Sequence, residues 1–252
     1  MAKPPSARPD PWHGLRAFTA ARIALGRAGG SIPTEPLLEF QLAHARARDA
    51  VGRALDADAV EQALRSRNWD VLRLRSAAPD RRVFVQRPDL GRILNDASKA
   101  VLESGGHTFH DAVLIVADGL SALAVERHAV PLLDALRPRL AGWRLAPVCV
   151  VQEGRVAIGD EIGALAGAQL AVVLIGERPG LSAPDSLGVY LTWEPVPGRS
   201  NAERNCISNI RPEGLGYALA AHKLFHLMTA ARLRRLTGVD LKEEAPPLPG
   251  PR

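Results

Sequence analysis

Four short apolar runs in the second half of the chain constrain its fold most strongly. They read AVLIVA at 112–117, PVCVV at 147–151, LAVVLIG at 170–176 and LGVYLTW at 187–193. Continuous apolar runs of this length are typical of strands that are buried on both faces of a sheet. Because helix-forming segments alternate with them, we predict an α/β fold with a Rossmann-like, mostly parallel sheet.

Three helices are predicted between and after these strands. The first covers 121–136, and Pro131 should kink or divide it. The second is the segment GDEIGALAGA, for which Asp160 is a plausible N-cap residue. The third is predicted over 213–236 and closes the fold.

The first hundred residues have mostly helical patterns. Apolar residues at helical spacing over 15–25 predict a helix that ends at the glycine pair 29–30. The segment EPLLEFQLAHARARDAV predicts a strong helix through about residue 55, and a further helix is expected over 57–66. The segment RRVFVQRPDLGRIL predicts a short strand and the start of a helix. We therefore divide the chain into a helical N-terminal region, 1–100, and an α/β domain, 101–252.

Composition excludes several classes of protein. The chain has 252 residues, of which 46% are hydrophobic but only 4% aromatic, which favours an α/β core over an aromatic-rich β-sandwich. No apolar run reaches the length of a membrane span, and the N-terminus lacks the apolar middle of a signal peptide, so we expect a cytoplasmic protein. Two cysteines, Cys149 and Cys206, provide neither a disulfide framework nor a zinc site.

The positive charge of the chain is concentrated at its N-terminus. Five basic residues and one acidic residue in 1–30 give +4 of the total net charge of +5. A basic arm can bind nucleic acid. However, these arginines are spread out and no aromatic stacking motif accompanies them, so we favour an arm that docks on an acidic protein partner and expect no binding of nucleic acid.

Ligands of open α/β sheets bind beyond the carboxyl ends of the strands. Here the four corresponding loops lie at 117–119, 151–156, 176–180 and 193–206. None contains the GxGxxG or GxxxxGK[ST] pattern that cradles a phosphate. An unrelated nucleotide-binding enzyme of Rossmann type is nevertheless an alternative at this point.

Two residues in these loops have alternative roles. Glu177 follows an apolar strand and could accept hydrogen bonds from ligand amides or pair with Arg178. Cys206 could be a reactive thiol if Arg204 or Arg211 lowered its pKa, or it could be a small packing residue. No base is placed beside it in the sequence, so we predict no catalytic nucleophile.

Two further patterns also leave alternatives open. The glycines at 159, 163 and 167 indicate either close packing of a helix or close approach of a bulky planar ligand. The charged segment 44–53 of the long N-terminal helix is either an exposed, salt-bridged face or a contact with a subunit or ligand.

Several segments together resemble one family. FQLAHARARDAV, GRVAIGDEIG, VVLIGERPGLSAPDSLGVYLTWEP and AERNCISNIRPEGLGYALAAHKL are similar to the small subunit of ethanolamine ammonia-lyase. The resemblance extends over about 11–236. It implies an adenosylcobalamin-dependent lyase that converts ethanolamine to acetaldehyde and ammonia, with the substrate held by a large subunit and the small subunit covering the corrin.

The resemblance also implies cofactor contacts by Val156, Glu177 and Cys206, and no catalytic residue or metal ligand on this chain. It implies a hetero-oligomer with the large subunit, inactive as an isolated chain and in some members housed in a bacterial microcompartment. No histidine here follows the Asp-x-His-x-x-Gly pattern of base-off cobalamin binding, so the cofactor should keep its own dimethylbenzimidazole on cobalt.

Overall fold

A single six-stranded mixed sheet forms the centre of the fold. The computed structural model describes residues 10–106, 108–243 and 245. In chain order the strands are β1 (Val71–Arg75), β2 (His110–Ala117), β3 (Val148–Gln152), β4 (Ala168–Gly176), β5 (Leu187–Trp193) and β6 (Asn205–Ile210). Their spatial order is β1-β3-β2-β4-β5-β6. The first four in this order are parallel, whereas the β4–β5 and β5–β6 pairs are antiparallel.

Seven α-helices surround this sheet in the described part of the chain. They are α1 (Thr34–Gly52), α2 (Ala57–Arg65), α3 (Arg81–Gln86), α4 (Asp96–Ser104), α5 (Ala122–Leu136), α6 (Ile158–Leu165) and α7 (Tyr217–Arg234). Four of them begin where a side-chain oxygen accepts a hydrogen bond from the backbone amide three residues later, at Asp56, Asp80, Asn95 and Ser121. None of the described helices combines the length and apolar character that crossing a bilayer requires.

The helices cover the two sides of the sheet unequally. On one side, α2, α5 and α7 pack on alternate residues of the sheet, which include Val116, Leu174 and Leu191. On the other side, α4 and α6 pack on the intervening residues of β1 to β4. No described helix lies over β5 and β6 on that second side, where Cys206 and Ser208 are exposed. We call this area, the second face of β5 and β6, the open face.

The four strands predicted in the second half are confirmed, but the expected parallel arrangement is wrong for β5. Only ten residues, 177–186, connect β4 to β5, and they contain no helix. A parallel crossover needs a dozen or more residues, usually including a helix, so β5 turns back antiparallel to β4. The loop after Trp193 and the loops after β2, β3 and β4 therefore lie at opposite ends of the strands.

We had expected the first hundred residues to form a helical region, but the described part of this region is not helical throughout. Strand β1 lies within them and pairs with β3, so this region contributes to the same sheet. The helix predicted over 15–25 is only a 3-10 helix, His13–Phe18. The strand predicted in RRVFV is helix α3, which the Asp80 side chain caps. Helix α1 and helix α2 are confirmed.

Pro131 does not divide helix α5, which runs unbroken from Ala122 to Leu136. An interior proline costs a helix about 3 kcal/mol. Nine residues of α5 are buried against the sheet and α7. Each fully buried large apolar side chain contributes roughly 1.5–3 kcal/mol, so the burial of this helix outweighs the cost of the proline. The last predicted helix is confirmed as α7, although it begins four residues later than expected.

Candidate functional site

A cavity of about 420 Å³ opens where the carboxyl ends of β2 and β4 meet the open face. Its lining comes from the loop after β2, the segment before α6, the loop after β4, and strands β5 and β6. The lining residues are Gly119, Leu120, Arg155, Val156, Ile175, Gly176, Glu177, Arg178, Tyr190 and Ser208. Two of the three predicted cofactor contacts, Val156 and Glu177, therefore line one cavity.

Close approach of two loops forms the floor of this cavity. The amide of Leu120 donates to the carbonyl of Gly176 at 3.0 Å. Gly119 has a left-handed φ of +55°, and a Cβ atom there would collide with Gly176. A glycine is required at this turn because other residues rarely adopt this backbone conformation and have no room here.

Glu177 connects the start of the loop between β4 and β5 to the end of that loop and to strand β6. Its Oε2 accepts hydrogen bonds from the Ser186 hydroxyl and, at 3.3 Å, from the Asn209 amide. Its Oε1 accepts a hydrogen bond from the Ser208 hydroxyl. The side chain lies over Gly188, where a Cβ atom would be 2.9 Å from Oε1. The partners of the Glu177 side chain are thus on β6 and in the loop just before β5. The alternative ion pair between Glu177 and Arg178 is not formed.

This arrangement sets how Glu177 can bind a ligand. A carboxylate has about four acceptor positions on its two oxygens, and three are occupied by protein donors. One position remains for a donor on a ligand in the cavity. The same bonds hold Ser208 and Asn209 against the loop, so Glu177 also shapes the cavity wall.

Cys206 lies on strand β6 and not in a loop, which corrects the sequence prediction. It is exposed on the open face, opposite Tyr190 of β5 in the strand register. Partial burial by the surrounding protein raises the pKa of the Cys206 thiol, and the charge of Glu177 raises it further, although a hydrogen bond from Tyr190 opposes them. The thiol therefore stays protonated near neutral pH, which argues against a reactive nucleophile.

Arg204 does not activate Cys206, because it is committed to a buried ion pair. Its Nη1 and Nη2 donate to Oδ1 and Oδ2 of Asp160, each at 2.6 Å, and both side chains are only 2% exposed. The same guanidinium donates to the Thr192 hydroxyl and to the Arg199 carbonyl. Asp160 is thus an ion-pair partner inside α6, and not the N-cap that we predicted.

A second buried ionic cluster fixes the segment before α6. Asp118 accepts hydrogen bonds from the amides of Glu153 and Gly154, each at 2.9 Å, and from Arg81 at 3.1 Å. Burial raises the pKa of Asp118 to about 6, against the opposing effect of Arg81. The cluster holds the turn that presents Arg155 and Val156 to the cavity.

The glycine pattern on α6 has a packing explanation. A Cβ atom at Gly159 would collide with Val173 of β4, and one at Gly163 would collide with Pro195. Gly167 follows the helix with a left-handed φ of +61°. These glycines bring α6 close to the sheet, and the alternative of a ligand at their surface is not needed.

Sequence reasoning missed several residues of this site. Tyr190 and Ser208 line the cavity, and Asp118 and Arg204 hold its walls. Tyr190 could have been singled out from the sequence, because its hydroxyl group lies in the middle of a mostly apolar strand. The ion pairs had none, because their partners are 37 and 44 positions apart in the chain.

These features define a mixed α/β subunit whose sheet is left open at one end beside a ligand-sized cavity. A protein-family model described as ethanolamine ammonia-lyase light chain (EutC) matches residues 9–242. The chain is 58% identical to an ethanolamine ammonia-lyase small subunit of Azotobacter vinelandii over 246 residues, which cover 95% of this chain and 90% of the relative.

Two further relatives have the same name. One, from Pseudomonas aeruginosa, is 54% identical over 247 residues, covering 96% of this chain and 90% of the relative. The other, from Pseudomonas syringae, is 54% identical over 248 residues, covering 95% and 85%. The chain therefore belongs to the ethanolamine ammonia-lyase light-chain family, whose enzymes are carbon–nitrogen lyases that act as complexes of subunits. The resemblance found in the sequence is confirmed.

The buried pair makes a stability prediction with a matched control. Asp160→Asn leaves the Arg204 charge buried without a counter-charge, which should lower the free energy of unfolding by about 3–5 kcal/mol. Asp134→Asn makes the same change in a surface pair with Arg67, in which both side chains are 43% exposed, and should cost less than about 1 kcal/mol. Urea denaturation of both variants measures the difference, and equal losses would contradict the assigned role.

Proposed function

We propose that this chain is the small subunit of an adenosylcobalamin-dependent ethanolamine ammonia-lyase, which converts ethanolamine to acetaldehyde and ammonia. In this proposal the chain forms one wall of the cobalamin site and assembles with a large subunit that holds the substrate. One observation carries it: Val156 and Glu177 line one cavity, and Cys206 lies on the adjoining open face.

The dimensions and chemistry of the site fit a corrinoid shared between subunits. A cobalamin is larger than a cavity of 420 Å³, so this chain would enclose only part of it. The open face extends the cavity over β5 and β6, which gives a broad planar ligand an apolar and weakly polar surface formed by Tyr190, Cys206 and Ser208. A partner would then cover the other side of the ligand.

Each residue has a specific role in this proposal. Val156 packs against the rim of the macrocycle, and the remaining acceptor position of Glu177 receives a hydrogen bond from a peripheral amide. Cys206 fills space beside Tyr190 with its protonated thiol. When bound, adenosylcobalamin supplies the radical chemistry, while the chain contributes binding and orientation.

The N-terminal segment and α1 form the surface that we propose for docking on the large subunit. We call it the N-terminal apolar surface; its exposed members are Trp12, Leu15, Phe18, Ile23, Ile32, Leu37, Leu38, Phe40 and Leu42. Helix α1 has 19 residues, yet only Ala43 and Ala50 are buried. Such clustering of exposed large apolar side chains is typical of a surface that another protein covers.

Charge at the same end of the chain supports this assignment. Arg16, Arg22 and Arg27 lie between the apolar residues of the segment, whereas Lys3 and Arg8 lie outside the described residues. Arg53, the residue that follows the last turn of α1, pairs with Glu126 of α5. We propose a cytoplasmic complex, housed in a microcompartment where the host forms one.

Substitutions at the cavity should separate hydrogen bonding from packing. Glu177→Ala removes a charged acceptor, worth roughly 1.5–3 kcal/mol, so the affinity of the assembled complex for adenosylcobalamin should fall about tenfold to a hundredfold. Cys206→Ala should change the affinity much less, because a thiol is a weak donor. Titration followed by corrinoid absorbance measures both.

Ser208→Ala is the matched control, since it loosens β6 from Glu177 but leaves the carboxylate in place. Its effect on affinity should be smaller than that of Glu177→Ala. A Cys206→Ala complex that binds the cofactor normally but has no turnover at saturation would overturn the packing role of the sulfur.

Removal of residues 1–30 should weaken assembly with the large subunit without unfolding the sheet. The deletion removes Trp12, Leu15 and Phe18. None of these three residues belongs to the clusters of buried apolar residues on the two sides of the sheet. Sedimentation of the mixed subunits measures assembly, and circular dichroism checks the fold. Unchanged association of the truncated chain would disprove docking through this segment.

A further inference from the structure

A second cavity, of about 390 Å³, adjoins the first and has a different character. Arg92, Arg155 and Arg199 line it, together with residues that include Val156, Ala157 and Ser200. Among the described residues that line this cavity, none has an acidic side chain. Arg155 and Val156 also line the first cavity, so one ligand can extend from one cavity into the other.

Two of the three arginines in this second cavity, Arg92 and Arg155, form no ion pair with a carboxylate among the described residues. Arg92 is exposed, and its guanidinium forms no ion pair or hydrogen bond within the described ranges, although its backbone amide donates to the Asp89 carbonyl. Arg155 stacks over Phe84 at 4.2 Å, and its buried Nε has no hydrogen-bond partner there. Burial lowers the pKa of Arg155, and the neighbouring charges of Arg81 and Arg92 lower it further, against the opposing effect of Asp118. These cations repel one another and would be relieved by an anion.

Other groups around the cavity are fixed and suited to an oxyanion. Arg199 is held by Glu203 at 2.6 Å and by the Glu194 carbonyl, so its position is set although its charge is balanced. The amides of Val156 and Ala157, at the start of α6, have no acceptor among the described residues. Free amides and arginines are the donors that proteins use for phosphate.

We propose that this second cavity, centred on Arg92 and Arg155, binds the phosphodiester of the cobalamin nucleotide loop. The inference rests on the proposed function, since it needs the corrin to occupy the first cavity. Cobalamin carries one phosphodiester on an arm at the edge of its macrocycle, and the shared Arg155 and Val156 place the arginines beside that edge. The site would then distinguish a complete cobalamin from a corrinoid without its nucleotide.

Two corrinoids and two variants test the assignment on the complex assembled with the large subunit. Adenosylcobinamide lacks the phosphate and the base, so it is compared with adenosylcobalamin by absorbance titration. Arg92→Ala should weaken adenosylcobalamin binding about tenfold or more, as expected for loss of a charge-assisted hydrogen bond, and should change adenosylcobinamide binding less than about twofold. Arg82→Ala removes an exposed arginine from the neighbouring α3 and should affect neither.

Each other outcome has a definite meaning. If Arg92→Ala weakens both corrinoids equally, or neither, the phosphodiester assignment is wrong while the proposed function stands. If inorganic phosphate binds through Arg92 without competing with adenosylcobalamin, the cavity is a site for free phosphate and the assignment is again wrong. If neither corrinoid binds to the unaltered complex, the proposed function itself fails.

Discussion

The buried pair between Arg204 and Asp160 holds together the two parts of the chain on which the site depends. Asp160 lies in α6, which covers the second side of the parallel strands, and Arg204 immediately precedes the edge strand β6. Their two 2.6 Å hydrogen bonds tie the outer, antiparallel end of the sheet to its helical cover. Because both charges are removed from water, each is tolerated only in the presence of the other.

The unequal covering of the sheet leaves exposed the surface that we propose for the cofactor. Helices α2, α5 and α7 bury one side from end to end, whereas α4 and α6 stop at β4 on the other. The exposed part meets the carboxyl ends of β2 and β4, where α/β proteins place ligands. Glu177 stands at this junction, with bonds to the loop before β5 and to β6. In the complex that we propose, a subunit of this shape would provide one wall of the ligand site and a second subunit the other.

Strands β2 to β5 could be predicted from the sequence, since each is a continuous apolar run. Strands β1 and β6 could not, because both mix polar with apolar residues, and β6 contains a bulge where Asn209 has a φ of +58°. Val156 and Glu177 were expected in loops beyond strand ends, and both line one cavity in the structure. Ser208, which donates to Glu177, comes from a segment 31 residues away that no local pattern connects to it.

Hydrogen–deuterium exchange of the assembled complex, with and without adenosylcobalamin, tests most directly whether the open face is the cofactor-binding wall. If the open face binds the cofactor, peptides that cover 153–157, 186–190 and 205–210 should exchange more slowly when the cofactor is bound. Peptides that cover α2 and β1 should exchange at unchanged rates, since these elements lie at the far edge of the sheet. If the cofactor binds but exchange is not slower in 153–157, 186–190 and 205–210, the open face is not the cofactor-binding wall.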